Sequence, residues 1–127
     1  QVSDTITEWQ SDARKSQITI RETLNFTSGL ETGFQEIYTR SSEDKISRAV
    51  GLSAIRERGE SFLYGPGNMN VFCEVLRRKL RGKMSYEEYL SKKLLRPLGI
   101  RVSRWREDAH GNPVPSAGMY MTAQEWI

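Results

Sequence analysis

The chain has 127 residues, 37% hydrophobic and 28% charged, with a formal net charge of +3. These figures describe a soluble globular piece, one domain or one lobe of a larger one, whose modest charge requires neither a nucleic-acid nor a membrane partner. A single cysteine, Cys73, excludes an internal disulfide and a cysteine-built metal site, and no apolar run approaches the roughly 20 residues that span a bilayer.

Residues 1–9 have little periodicity and read as an irregular lead-in, with Val2, Ile6 and Trp9 available to pack. Residues 11–17 form a polar, charged loop. Thr19 followed by Glu22 is a capping-box pair that predicts a short helix through about Phe26, ended by Gly29. Residues 33–38 admit a loop or one helical turn. Ser41, Ser42, Glu43 and Asp44 read as a cap and acidic first turn, opening a helix that buries Ile46, Ala49 and Val50. Residues 55–60 are charged and turn-like.

The most patterned stretch runs from residue 62 to residue 100. It begins with a turn in which Gly65 and Gly67 tolerate positive φ and Pro66 fixes its own φ. From Asn68 onward, Met69, Phe72, Val75, Leu76 and Leu80 recur at helical spacing and predict an apolar stripe. Arg77, Arg78, Lys79, Arg81 and Lys83 form its wet side, Gly82 its stop. Ser85 with Glu88 caps a second helix, with Tyr86, Tyr89, Leu90, Leu94 and Leu95 inward and Pro97 and Gly99 at its end. Residues 108–113 form an exposed turn, residues 115–121 a small-residue, partly extended segment, and Thr122 with Glu125 a third capping box. A helix-start signal so near the last residue predicts that the chain is a piece of a longer one. The whole reads as mainly α.

Three local features invite function and are set aside on chemical grounds. Ser42 and Lys45 have Ser-x-x-Lys spacing, but the two acids between them make a solvated helix start. His110 is the only histidine, which leaves no Ser-His-Asp triad and no partner for a metal. The basic run over residues 77–83 has no interleaved aromatics for base stacking, and Glu87 and Glu88 follow it, so it reads as a solvated helix face.

Four stretches, in order, resemble the serine β-lactamase family in its broad sense: class C β-lactamases, D-alanyl-D-alanine carboxypeptidases and related esterases and amide hydrolases. Residues 18–30, ending Thr27, Ser28, Gly29, Leu30, are similar to the family's "ITIRDLLTHTSGL". Phe62, Leu63 and Tyr64 fall where the family has its Tyr-x-Asn motif. Residues 83–90, with Pro97, Leu98, Gly99 and Ile100, resemble "G-x-SYEEFL…PLGM", and residues 116–126 resemble "AGGLYSTAxDW".

The resemblance implies the helical lobe of the α+β serine β-lactamase/transpeptidase-like fold. The nucleophilic Ser-x-x-Lys would lie upstream of these 127 residues and the Lys-Thr-Gly or His-x-Gly strand downstream. It implies a hydrolase that cleaves a small ester or amide through an acyl-serine intermediate, without metal or organic cofactor. Tyr64 would be the catalytic tyrosine. A serine hydroxyl is weak until a base takes its proton, and a tyrosine, with a free pKa near about 10, serves only where nearby ammonium groups favour the phenolate.

Pro66 stands where the motif has asparagine and cannot donate a side-chain hydrogen bond, which favours a general ester or amide hydrolase over a β-lactamase or peptidase. Asn68 is a stand-in for that asparagine, and Ser116 and Gly118 match a loop bordering the family's active site; Pro66, Asn68, Ser116 and Gly118 are thus the expected substrate-facing set. Phe26 replaces a frequent histidine at a structural position. Without the flanking segments the chain is expected to be inactive and to self-associate through exposed apolar surface. The competing reading is a stand-alone helical module that derives from this family and serves in binding.

Overall fold

The computed structural model describes residues 1–38 and 44–126. Among the described residues there are six α-helices, α1 (Ile20–Leu24), α2 (Phe34–Tyr38), α3 (Lys45–Val50), α4 (Pro66–Leu80), α5 (Tyr86–Leu90) and α6 (Ala123–Trp126), and one antiparallel ribbon, β1 (Arg104–Trp105) with β2 (Met119–Tyr120). The long helix α4 is the hub, in contact with α1, α2, α3 and α5. The mainly helical reading holds.

The lead-in supplies much of the core. Val2, Ile6 and Trp9 are buried with Ile18, Leu30, Ile37, Ala49, Leu52, Val71 and Val75. Trp9 is fixed at both ends of its chemistry: its indole N–H donates to the Val50 carbonyl at 2.9 Å, while the Lys15 ammonium sits 5.4 Å from its ring centroid. A second cluster of Ile46, Cys73 and Tyr86 joins α3, α4 and α5. Burial pushes the Cys73 thiol up to about 12, as expected of a small apolar filler rather than a reactive thiol.

Helix starts follow the side chains that satisfy them. The Thr19–Glu22 and Thr122–Glu125 boxes form in both directions, and Asp44 caps α3 by accepting from the amides of Ile46 and Ser47. Ser85 caps α5 through the Glu88 amide. The other predicted cap residues, Ser41, Ser42 and Glu43, lie outside the described residues, and with them the serine of the Ser-x-x-Lys spacing.

Several boundaries differ from the sequence reading. Helix α1 ends at Leu24, and Phe26 takes the left-handed conformation (φ 58°) just after it, three residues before Gly29, which is left-handed as well (φ 79°). Helix α4 begins at Pro66, two residues early, because proline at the first helical position gives up only an amide that would be unpaired. It stops at Leu80, with Arg81 already left-handed. After α5 the helix continues as a π-turn over Ser91–Leu95 and a 3-10 turn over Arg96–Leu98, closed by Gly99 at φ 79°. That widening turns Leu94 out to 51% exposure while Leu95 stays buried.

The buried face of α4 is also more polar than its stripe. Asn68, Asn70 and Glu74 are buried beside Val71, Cys73 and Val75, whereas Met69, Phe72, Leu76 and Leu80 are only half-buried. Apolar periodicity missed them because each polar side chain has a specific partner. Glu74 accepts from Arg77 at 2.6 and 2.8 Å and from Arg78 at 2.6 Å; Arg78 in turn forks onto Glu8 at 2.6 and 2.7 Å. The basic run therefore begins with a clamp that ties α4 to the lead-in. Arg78 is only 28% exposed and engaged in that clamp, whereas Arg77, Lys79, Arg81 and Lys83 lie on an exposed face.

Candidate functional site

The Thr27–Leu30 turn, with the two residues after it, is the bed on which the tyrosine turn rests. The Leu63 amide donates to the Phe26 carbonyl at 2.8 Å and the Gly67 amide to the Thr32 carbonyl at 3.0 Å. Ser28 Oγ donates to Asn68 Oδ1 at 2.6 Å and also accepts from the Leu30 amide, both inside the protein. Gly65 and Gly67 serve closeness rather than positive φ, unlike Gly29 in the bed itself (φ 79°). Gly65 is extended (φ 171°), and a Cβ on it would sit 2.3 Å from the Thr32 carbonyl oxygen; one on Gly67 would sit 2.5 Å from Leu52 Cδ1. At residue 65 only glycine lets the two backbones approach so far.

This bed pushes Tyr64 outward, 63% exposed, just before the first turn of α4. Its ring does not stand alone. Phe26 lies 5.4 Å away, Phe34 and Phe62 each 6.5 Å, and Phe26 also meets Phe62 at 5.7 Å. Phe34 meets Tyr38 at 5.9 Å, and the Tyr38 hydroxyl donates to Ser116 Oγ at 3.1 Å. A continuous surface row of rings thus leads from Tyr64 to the loop at Ser116, although 52 positions separate them in sequence.

The other expected site residues fall differently. Ser116 is half-buried on the ring row. Pro66 is buried, its carbonyl accepting from Asn70 Nδ2 at 2.8 Å. Asn68 is 1% exposed and turned toward Ser28, so it presents no surface to a ligand; it props the Thr27–Leu30 turn against α4. Gly118 is buried because a Cβ there would meet the Val114 carbonyl oxygen at 2.2 Å, and its carbonyl accepts from the Arg106 amide at 2.7 Å. It shapes the loop that carries Ser116. His110 is exposed in a turn organised by Asp108, which accepts from the amides of His110 and Asn112, each at 2.9 Å.

Sequence reasoning missed the ring row. Its signal was present: Phe62 and Tyr64 two apart in an extended stretch share a face, as do Phe34 and Tyr38 four apart on a helix. What joins the two pairs is tertiary. Phe26, expected to be structural only, stands at the centre of the row, its ring against both Phe62 and Tyr64.

A family model for β-lactamase matches residues 1–126. The chain belongs to the β-lactamase family. Its helical architecture is that of the family's helical lobe. Among solved structures, a Bacteroides dorei protein carrying a provisional β-lactamase name superposes with a TM-score of 0.71 at 20% sequence identity. The match covers 98% of this chain and 39% of that protein, so the chain spans well under half of that structural relative. At such identity the likeness speaks for fold alone. No curated protein matches the chain significantly. The exposed Tyr64 lies just before α4, with the rings of Phe26, Phe34 and Phe62 about it.

Proposed function

We propose that this chain supplies the tyrosine wall of an acyl-transfer site in a serine hydrolase acting on a small ester or amide. The observation that carries the reading is the placement of Tyr64: exposed, just before the long helix α4, beside a backbone bed that tolerates only glycine at residue 65. In this reading the serine and its lysine come from outside these 127 residues. The serine oxygen attacks the carbonyl carbon while its proton passes to Tyr64 and on to the leaving alkoxide or amine as the C–O or C–N bond breaks. Water then attacks the acyl-serine, the acid leaves, and the serine regains its proton. These steps call for no metal or organic cofactor. Pro66, with no side-chain donor, favours ester or general amide substrates over a β-lactam, whose amide an asparagine would hold.

The isolated chain should form no acyl adduct. Incubation with a fluorophosphonate or a fluorescent penicillin, followed by intact mass, tests this, and a stable adduct on the 127-residue chain would overturn it. The same reading has this chain self-associate through the apolar residues left open at its other end. Trp126 is 77% exposed, Leu98 65%, and Leu94 and Tyr120 51% each. Sedimentation and a hydrophobic dye test that claim; a clean monomer without dye binding contradicts it. Among the described residues no helix is long and apolar enough to cross a membrane.

A further inference from the structure

Helix α4 closes on an arginine held in the left-handed region. Among the described residues only Phe26 and Arg81 combine a side chain with positive φ. The hydrogen bond and ring contacts of Phe26 account for the first. Arg81 (φ 51°, ψ 38°) is exposed and stands where a glycine would end the helix without a clash between Cβ and backbone, and Gly82 (φ 71°) follows it directly. The Arg81 amide donates to the Arg78 carbonyl at 3.3 Å and the Lys83 amide to the Leu80 carbonyl at 3.0 Å, which fixes the turn. Arg81, Lys83 and Lys79 of the last helical turn line a groove of about 630 Å³, together with Asp4 and Thr5 of the lead-in. Arg78 lines it too, but its guanidinium is committed to Glu8 and Glu74. The side chains of Lys79, Arg81 and Lys83 make no hydrogen bond or ion pair among the described residues, so three uncommitted cations share the groove with one carboxylate. Cations at a helix C-terminus complement the helix dipole, but that requires neither a left-handed arginine nor a groove against the lead-in.

We propose that this groove binds a soluble anion carrying two or more adjacent phosphate groups, with Arg81 forked onto one phosphate and Lys79 and Lys83 holding the next. A guanidinium matches two phosphate oxygens at once, and an ammonium binds phosphate as a compact charge. Leu80 is the one apolar side chain lining the groove, so charge is recognised there rather than the shape of an organic body. In so open a groove salt screens a single phosphate, whereas adjacent phosphates engage all three cations together. The groove lies at the opposite end of α4 from Tyr64 and binds its anion whether or not Tyr64 takes part in catalysis.

The test is isothermal titration calorimetry of the full-length gene product at low salt, with inorganic tripolyphosphate and, separately, orthophosphate. Saturable binding of one tripolyphosphate per chain, at least tenfold tighter than orthophosphate, is expected. Arg81→Gly should weaken it at least fivefold while the melting temperature holds or rises, because glycine accepts the left-handed turn. An arginine that merely ends the helix would leave the affinity unchanged, and that result overturns the proposal. Lys83→Gln, at an exposed position, should weaken binding at least threefold and decides the matter if Arg81→Gly fails to fold. Lys93→Gln removes the same charge from an exposed position outside the groove and should stay within twofold of the parent. Equal affinity for the two phosphates, or equal losses in Lys83→Gln and Lys93→Gln, overturns the proposal, since attraction to overall charge then suffices. Binding to vesicles of phosphatidylcholine with phosphatidylglycerol, without saturable tripolyphosphate binding, overturns it in favour of a membrane surface. Binding of neither overturns it outright.

Discussion

At its head α4 lies beside a row of uncharged rings, whereas its later turns are knitted into charge by Glu74, Arg77 and Arg78. Composition alone draws the eye to the charged end, where five of seven residues from 77 to 83 are basic. There Arg77 and Arg78 spend their hydrogen bonds on the protein: Arg77 binds Glu74, and Arg78 bridges buried Glu74 to Glu8 and also reaches the Thr5 carbonyl at 3.3 Å. At the other end the rings leave their faces unspent. Saturated polar groups hold a fold together, and groups left unspent are available to a ligand.

The comparison predicts opposite responses to mutation. Glu74→Ala should cost most, about 2–4 kcal/mol in urea unfolding, since it strips a buried carboxylate from two guanidiniums that remain; the partial exposure of Arg77 places the value toward the lower side. A loss below about 0.5 kcal/mol would show the clamp to be ornamental. Gly65→Ala should cost about 2 kcal/mol, because the new methyl collides with the Thr32 backbone and not with a flexible side chain.

Acid should erode the charged end specifically. The Arg78 guanidinium hydrogen-bonded to Glu8 lowers that carboxyl from 4.5 to about 2. With a depressed folded-state value, its stabilisation is present above pH 4.5 and lost as pH falls toward 2. Glu8→Gln should flatten that part of the pH–stability curve, modestly because the pair is partly exposed. In alkali the sign reverses for Cys73: the folded thiol keeps its proton to about 12 while the unfolded one loses it near 9.0, so stability falls across that window, and Cys73→Ala should remove this component. The smallest effect belongs to the ring end. Phe62→Ala should change stability by no more than about 0.5 kcal/mol, and a larger loss would make the ring part of the core and not of a site.

Local chemistry was legible where one or two neighbouring residues decide the outcome. The Thr19–Glu22 and Thr122–Glu125 boxes and the helical stretch after Tyr64 could be read directly, as could the family from its four ordered motifs. Less legible was anything settled by distant contact. Phe26 takes positive φ because its carbonyl must meet the Leu63 amide and its ring must meet Tyr64. Asn68 looked like a ligand-facing amide until Ser28, 40 residues earlier, claimed its oxygen. Glu74 broke the apolar stripe because Arg77 and Arg78 neutralise it in place. Tyr64 was identified from the motif, but its aromatic company required the fold to bring 26, 34 and 62 together.

The central claim is that Tyr64 handles the proton of an acyl-transfer reaction. Its most direct test is the acylation rate of the full-length gene product and its Tyr64→Phe variant with a neutral aryl ester, followed by intact mass. A fall of at least about 100-fold, with unchanged unfolding midpoint, is the result this account predicts. Acylation within about threefold of the parent would contradict it.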